Sequence, residues 1–447
     1  MRVQRVTVVA AVASGLAAGV AAVAVAAGGS NGRESGSASF LAATHLPPLL
    51  TLPGETPTLR YAIVCGDEAT LAAGAPCDGA GELYIRPGHS GPFRQLSLTR
   101  GADSAHGRYF AAVPSDVAFD PRGFSYYAVL RDETSGETTT LPAAGAAAPQ
   151  NSYPLRAPVS ATLGQHRFGT TRAADSRDVS APWGTGAGHV GLSGGETAAR
   201  IGPSSFDVGA DGTIAILDEV NGRVVRWRRG VASSVPVAVP PALDDMAVGP
   251  DGSIYVADGV STAGRTPLLR TFAPDGRLRA TEHLPERTWA QVRVGPSGPV
   301  VQEHPSEQWM PPANAAAGRA GRPLADGSRL IVLRVGSDEV RIARLVNGSV
   351  HESWLVRSET PLAEVQLADL IGNRLVLVVK TYTDREDEYD VLVVGARGVE
   401  NRFSVPSSAW AETAPLARFR LAGATLYHFG STPAGAFVDG YDLGGLR

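Results

Sequence analysis

Residues 206–227, FDVGADGTIAILDEVNGRVVRW, constrain the fold more tightly than any other stretch of this chain. Two short apolar-alternating runs meet at Asp211-Gly212, and a turn at Asn221-Gly222 leads into a third run that ends on Trp227. Asp-Gly and Asn-Gly tolerate the positive φ of a tight hairpin, so the stretch reads as a small antiparallel meander. A period of two puts Phe206, Val208, Ile214 and Ile216 on one face and leaves Asp207 and Ala215 on the other. The unit recurs in MAVGPDGSIYVADG, with Met246, Val248, Ile254 and Val256, and in VRVGPSGPVV, with Val292, Val294 and Val300. A meander cannot bury its own face, so repeated copies must stack, and a period of about 40–50 residues is that of propeller blades.

The expected fold class is therefore all-β, a β-propeller preceded by an antiparallel β-sandwich. First strands near 206, 246, 292, 325, 365 and 417 count six blades, and merging the third and fourth gives five. Later pairs are VQLADLIGNRLVLVVKTYT across Gly372-Asn373, the hairpin EYDVLVVGARGVENRFSVP, and ARFRLAGATLYHFG with GAFVDGYDL. The final unit lacks a fourth strand, and SATLGQHRFGTTR (160–172) precedes the first blade without a partner. Pairing the two would close the ring and leave no sheet edge free, with Leu163 and Phe168 as anchors.

Upstream, four segments are distinguished. Residues 1–27 carry Arg2 and Arg5, an apolar run over 6–27 and small residues at Ala24 and Ala26, the pattern of an export signal or, uncleaved, a membrane anchor. Residues 28–57 are rich in Gly, Ser, Ala and Pro and read as a flexible tether. Residues 58–158 hold six strand-like runs, TLRYAIVC to TTTLP, separated by turn residues, as in a sandwich; 143–154 reads as its exit linker. Tyr126 and Tyr127 must point to opposite faces, one into the core. Residues 159–447 form the propeller. The location implied is extracellular or in the cell envelope, where Cys65 and Cys77, the two cysteines of the chain, are expected to be bonded to each other. Closing so short a loop is worth about 3 kcal/mol in the chain-entropy model.

Net charge is −4, with acids and arginines interspersed, so nothing recommends a nucleic-acid partner. Lys380 is the sole lysine, a skew read as the codon bias of a GC-rich bacterial genome rather than as function.

Two resemblances follow from particular residues. GFSYYAVLRDETSGETTTLP resembles the last hairpin of immunoglobulin-like or fibronectin III-like modules. PWGTGAGHVGL (182–192), with Pro203, Asp211-Gly212, Asp218, Asn221 and Arg223 in order, resembles the NHL-repeat propellers; Asp251-Gly252, Asp258 and Arg265 repeat the pattern. That resemblance implies a propeller fold and no particular activity, since the family includes binding scaffolds and a few lyases.

In a four-stranded blade, the loop after the second strand lies at the channel mouth. Asp218, Glu219, Asp258, Glu303, His304, the run from Asp384 to Glu388, and His428 all follow second strands and form the candidate binding set. Gathered carboxylates and imidazoles could hold a divalent cation such as calcium, or serve as acid and base. Against this, Asp218 and Asp258 occupy positions where a short acid caps a turn, and the acidic run lacks the Gly-centred spacing of a calcium loop. No His-Glu-x-x-His pair or phosphate loop occurs. The expected function is a secreted or envelope-anchored, non-catalytic binding or scaffold protein without a cofactor, presenting its surface to a protein, glycan or small ligand. The alternative is a metal-assisted hydrolase or lyase at the channel, like lactonase or virginiamycin B lyase propellers.

Overall fold

The computed structural model describes residues 39–67, 75–102, 107–195, 198–239, 244–258, 267–284, 288–303, 307–412 and 417–444. The signal or anchor expected over 1–27 and the first part of the tether lie outside them. Among the described residues no helix is long and apolar enough to cross a membrane.

The described chain is all-β. Its N-terminal part forms two sheets. One joins Ser39–His45, Thr58–Asp67, Arg108–Ala112 and Thr99–Arg100, with Ala75–Pro76 on the second of these. The other joins Leu50–Thr51, Gln150–Pro154, Phe124–Asp132, Gly79–Pro87 and Arg94–Ser97, with Thr138–Leu141 on Phe124–Asp132. Leu59, Tyr61 and Ile63 of the first sheet meet Leu83, Ile85 and Tyr126 of the second in one buried core. Tyr126 is fully buried, whereas Tyr127, one residue on, stacks against Tyr84 on the opposite face at 4.7 Å. Cys65 and Cys77 are disulfide-bonded with a Cα separation of 5.4 Å, inside the range a bridge permits.

Two stretches expected to be loop are strand. The tether reading extends too far: residues 39–45 pair antiparallel with 61–67, and Ala43 enters the core. The exit linker is also built into the fold, because Gln150–Pro154 pairs with Phe124–Tyr126 and runs parallel to Leu50–Thr51. Composition misled here. Alternating Leu41, Ala43 and His45 bury one face even though small and Pro residues dominate the stretch around them.

Among the described residues, the rest of the chain folds as six sheets of four or five strands in a propeller-like arrangement, with a two-stranded ribbon, Ser193–Gly195 and Ala198–Ile201, ahead of the first. The first is Ser205–Val208, Ile214–Asp218, Arg223–Arg228 and Val231–Pro236; the second is Asp245–Val248, Ile254–Asp258, Leu268–Phe272 and Leu278–His283. The third is Thr288–Gly295, Gly298–Glu303, Gln308–Met310 and Arg319–Ala320; the fourth is Arg322–Pro323, Arg329–Val335, Glu339–Val346 and Ser349–Arg357. The fifth is Leu362–Ile371, Arg374–Tyr382, Asp387–Gly395 and Gly398–Pro406; the sixth opens with Phe419–Ala422, Thr425–Thr432 and Gly435–Asp442. Successive sheets touch through their leading strands, except that the fourth meets the fifth through Arg329–Val335, and Phe419–Ala422 of the sixth returns to Ser205–Val208 of the first. Asp211-Gly212 and Asp251-Gly252 sit at the first hairpin turns, with both glycines in the left-handed region (φ 76° and 78°) that an L side chain resists.

Closure differs from the expectation. The fourth strand of the sixth sheet is Ser176–Pro182, antiparallel to Gly435–Asp442, not a strand within 160–172. The earlier segment instead runs along the outer edges of the two preceding sheets. Val159–Thr162 adds parallel to Ser349–Arg357, and Thr171 bridges Ser404. Val179 and Ala181 explain the choice, since they supply the inward apolar pair that seals the sixth sheet beside Phe429 and Val438. Arg177 adds a bidentate pair to Asp439, at 2.7 and 2.9 Å. Leu163 is buried between the fourth and fifth sheets, and Phe168 packs edge-on against His166.

The seam between the third and fourth sheets is filled from outside the ring. Leu49, Leu50, Tyr153 and Leu155 of the N-terminal part pack with Ala320, Ile331, Ala343 and Leu345. Arg341 of the fourth sheet donates to the Leu50 carbonyl at 2.9 Å and to Glu55 at 2.6 Å. The N-terminal part therefore serves as a wedge in the ring. Leu50→Ala is expected to cost about 2–5 kcal/mol, as for other fully buried leucines. Urea unfolding should show one cooperative transition shifted down; an unchanged midpoint would mean that the wedge is dispensable.

Candidate functional site

The leading strands of the six sheets also carry charged residues: Asp207, Asp245, Arg293, Arg322, Asp369 and Arg420, three acids and three arginines. They pair across sheet boundaries in two groups. Arg420 of the sixth sheet reaches Asp207 of the first at 3.2 Å and Asp245 of the second at 3.4 Å. Arg293 of the third sheet meets Asp245 at 2.6 Å, and Arg322 of the fourth meets Asp369 of the fifth at 2.9 Å. Backbone donors complete the carboxylates: Val248 N–H on Asp207 at 2.7 Å and Val292 N–H on Asp245 at 3.0 Å. Asp245 is fully buried. Arg420 is pushed down to about 10 by burial first and by crowding from Arg293, which still leaves it charged at neutral pH. These two ion-paired groups tie neighbouring sheets together through their leading strands.

Around the mouth, the candidate residues go to separate duties. Asp218 is buried and accepts from Gly191 N–H (2.8 Å), the Asn221 amide (2.8 Å) and Arg223 Nε (2.9 Å), which fixes the turn after its strand and the incoming 183–191 loop. Asp258, also buried, pairs with Arg270 on the neighbouring strand at 3.2 Å. Glu303 is buried at the end of its strand, in register with Thr288 and Gln308, and His304 lies outside the described residues. Asp384 sits in an exposed turn. Among the described residues, no three His, Cys, Asp or Glu side chains form a group that could hold a metal ion.

Glu219 differs from its neighbours. It is 4% exposed and is held by the Ser204 hydroxyl and by Ser204 N–H at 3.2 Å; Ser204 in turn donates to the Asp244 carbonyl at 2.6 Å. Burial raises its carboxyl to about 7. His428 is packed among rings instead of facing solvent. It stacks on Phe419 at 4.6 Å, with Tyr389 and Phe437 edge-on. Burial, then the Arg418 and Arg177 charges, depress it to about 3.

The depression of His428 makes acid costly. Below about pH 6.5 the unfolded chain gains a proton on this side chain that the folded chain refuses, so stability falls with pH toward the folded value. By about pH 4 the loss from this group alone is about 3 kcal/mol, and buried His45, depressed to about 4, adds to it. His428→Phe should shrink the drop in urea midpoint between about pH 7 and pH 4 while keeping the ring stack. An identical pH profile in the variant would remove His428 from the account.

Sequence reasoning missed two constellations. The ion pairs of the leading strands were visible only as Asp207 alternating with Phe206 and Val208; nothing local announced that Arg420, Asp245 and Arg293 would join it. The second lies in the acidic run. Glu388 and Asp390 are buried and clamp the strap that runs over 163–172. His166 meets Glu388 at 2.9 Å and Asp390 at 3.6 Å, Gly169 N–H donates to Glu388 at 2.7 Å, and Arg402 joins Asp390 to the Leu163 carbonyl.

These features define a class: an all-β, β-propeller-like protein with a disulfide-bonded N-terminal part. No family model matches the chain, and no curated protein matches it. Among solved structures it is similar to a protein from Lactobacillus plantarum, at 13% identity over 83% of this chain and 94% of that one, with a TM-score of 0.35. It is also similar to virginiamycin B lyase from Staphylococcus aureus (10% identity, 54% and 94% covered, TM-score 0.32). A putative 6-phosphogluconolactonase from Bacteroides fragilis matches at 14% identity, with 82% and 96% covered and a TM-score of 0.29. Likenesses this distant say nothing about activity.

Proposed function

We propose that the chain is an exported, non-catalytic binding protein. In this reading an immunoglobulin-like sandwich is docked on a six-bladed, NHL-like propeller whose rigid surface is offered to a protein, glycan or small ligand. One observation supports it: the acids that could serve chemistry are committed to ion pairs, Asp207 and Asp245 to Arg420, Asp218 to Arg223 and Asp258 to Arg270. The disulfide suits an oxidising compartment.

A second reading, a hydrolase or lyase at the mouth, has one observation on its side. Glu219 holds its proton near neutrality beside a serine hydroxyl, as a general acid must. Glu219→Gln separates the two. The unfolded chain ionises this group above about pH 4.5, while the folded chain resists up to about 7, so the wild type loses about 3 kcal/mol across that window. The amide should therefore match the wild type near pH 4 and be more stable near pH 8, with no change in function. Turnover of lactones or of a cyclic depsipeptide by the purified protein, abolished by Glu219→Gln, would overturn the binding reading.

A further inference from the structure

A cleft of about 240 Å³ lies on the outside of the ring, where the connector from the N-terminal part crosses the fourth sheet toward the fifth. Its volume corresponds to about eight waters, below the range of drug-sized ligands. Three parts of the fold build it. The connector gives Arg156 and Ala157, the outer strand of the fourth sheet gives His351 and Glu352 with Trp354 as the floor, and a turn of the fifth sheet gives Asn373.

The walls are set in place by contacts that have nothing to do with each other. Arg156 donates to the Pro121 carbonyl of the N-terminal part at 2.5 Å, and Ser353 donates to the Arg156 carbonyl at 3.3 Å. Glu352 is held by Arg344 at 2.8 Å, a guanidinium it shares with Asp326, so its carboxylate is an oriented acceptor that keeps negative charge. Ala157 sits at φ 44°, in the left-handed region that a residue with a Cβ avoids. Such residues persist where surrounding structure over-determines them, and they gather at ligand sites.

The chemistry of the lining selects a ligand class. One cation, one already paired carboxylate, an imidazole and an amide offer donors and acceptors in balance, and the methyl groups of Ala157 and Ala396 and the edge of Val159 supply apolar patches between them. A polyanion would meet Glu352 and a polycation Arg156. A compact, uncharged molecule with hydroxyls around a C–H surface satisfies every part.

We propose that this cleft binds a single neutral sugar residue, free or at the end of a glycan. The inference deepens the binding reading, and it is tested by binding alone, whereas the binding reading stands or falls on turnover.

The experiment is ligand-observed NMR on the disulfide-bonded chain with glucose, galactose, mannose and N-acetylglucosamine as probes. At least one should bind saturably, with Kd on the order of 1 mM, as a small site allows. Asn373→Ala and His351→Ala change exposed side chains and should leave the melting temperature unaltered while weakening that binding about tenfold each. Arg374→Ala, next to Asn373 but outside the cleft, should leave it intact. No saturable signal with any of the four, equal binding by both cleft variants, or tighter binding of the corresponding uronic acids would each overturn the proposal.

Discussion

Val179→Asp is expected to release the strand that closes the ring. Val179 is 1% exposed in the core shared by the sixth and first sheets, so the change removes a buried aliphatic group and strands a carboxylate there. Together these cost about 4 kcal/mol or more, a large share of the stability of any domain. Once Ser176–Pro182 detaches, the backbone of Gly435–Asp442 becomes a free edge. Hydrogen exchange should show that strand losing protection first, ahead of the third sheet on the other side of the ring. A variant that melts like the wild type, with 435–442 still protected, would mean that the sixth sheet is held without its fourth strand.

Arg420→Met should be nearly as damaging, for a different reason. The side chain is buried between Asp207 and Asp245, and methionine fills the space without the charge. Breaking a buried pair from one side leaves the other side charged and unpaired, which costs about 3–5 kcal/mol. Arg293 still covers Asp245, so the greater part of the loss should fall on Asp207 and on the joint between the first and last sheets. Because the network is buried, added salt should change the wild-type stability little. Asp207→Asn in the same chain should recover part of the loss, since it removes the orphaned charge.

What the sequence made legible was local. Asp-Gly turns flanked by alternating Val and Ile mark hairpins at 206–218 and 246–258, because turn geometry and burial of one strand face are written within a dozen residues. The disulfide followed from two cysteines twelve positions apart in a chain expected to be exported. Long-range partners were not legible. Ser176–Pro182 carries only Val179 and Ala181 as an apolar signal, and its partner lies some 260 positions away. The 160–172 stretch, which looked the better closing strand for its Leu163 and Phe168, holds the fourth and fifth sheets instead. Residues 39–57 and 150–154 hid behind their small and Pro residues, although they wedge the ring apart from the side.

The candidate site divides the same way. Asp218 was readable as a turn acid, and it caps the turn at Asn221 and pairs with Arg223; Asp258 pairs with Arg270, and the turn that follows it lies outside the described residues. His428 was mistaken for a mouth residue. Its position at the heart of a strand, between Tyr427 and Phe429, fits the aromatic packing that the structure shows. The ion pairs of the leading strands could not be read at all. Each member is an ordinary charged residue in its strand, and only closing the ring brings Arg420 to Asp207, 213 residues earlier.

That contact tests the central claim most directly. If six sheets close a ring through ion pairs of their leading strands, Arg420→Met and Asp207→Asn must be energetically coupled, although the two residues belong to opposite ends of the ring sequence. A double-mutant cycle read by urea unfolding should return a coupling of about 1–3 kcal/mol. Additivity within about 0.5 kcal/mol would contradict the closed, ion-paired ring and the function read from it.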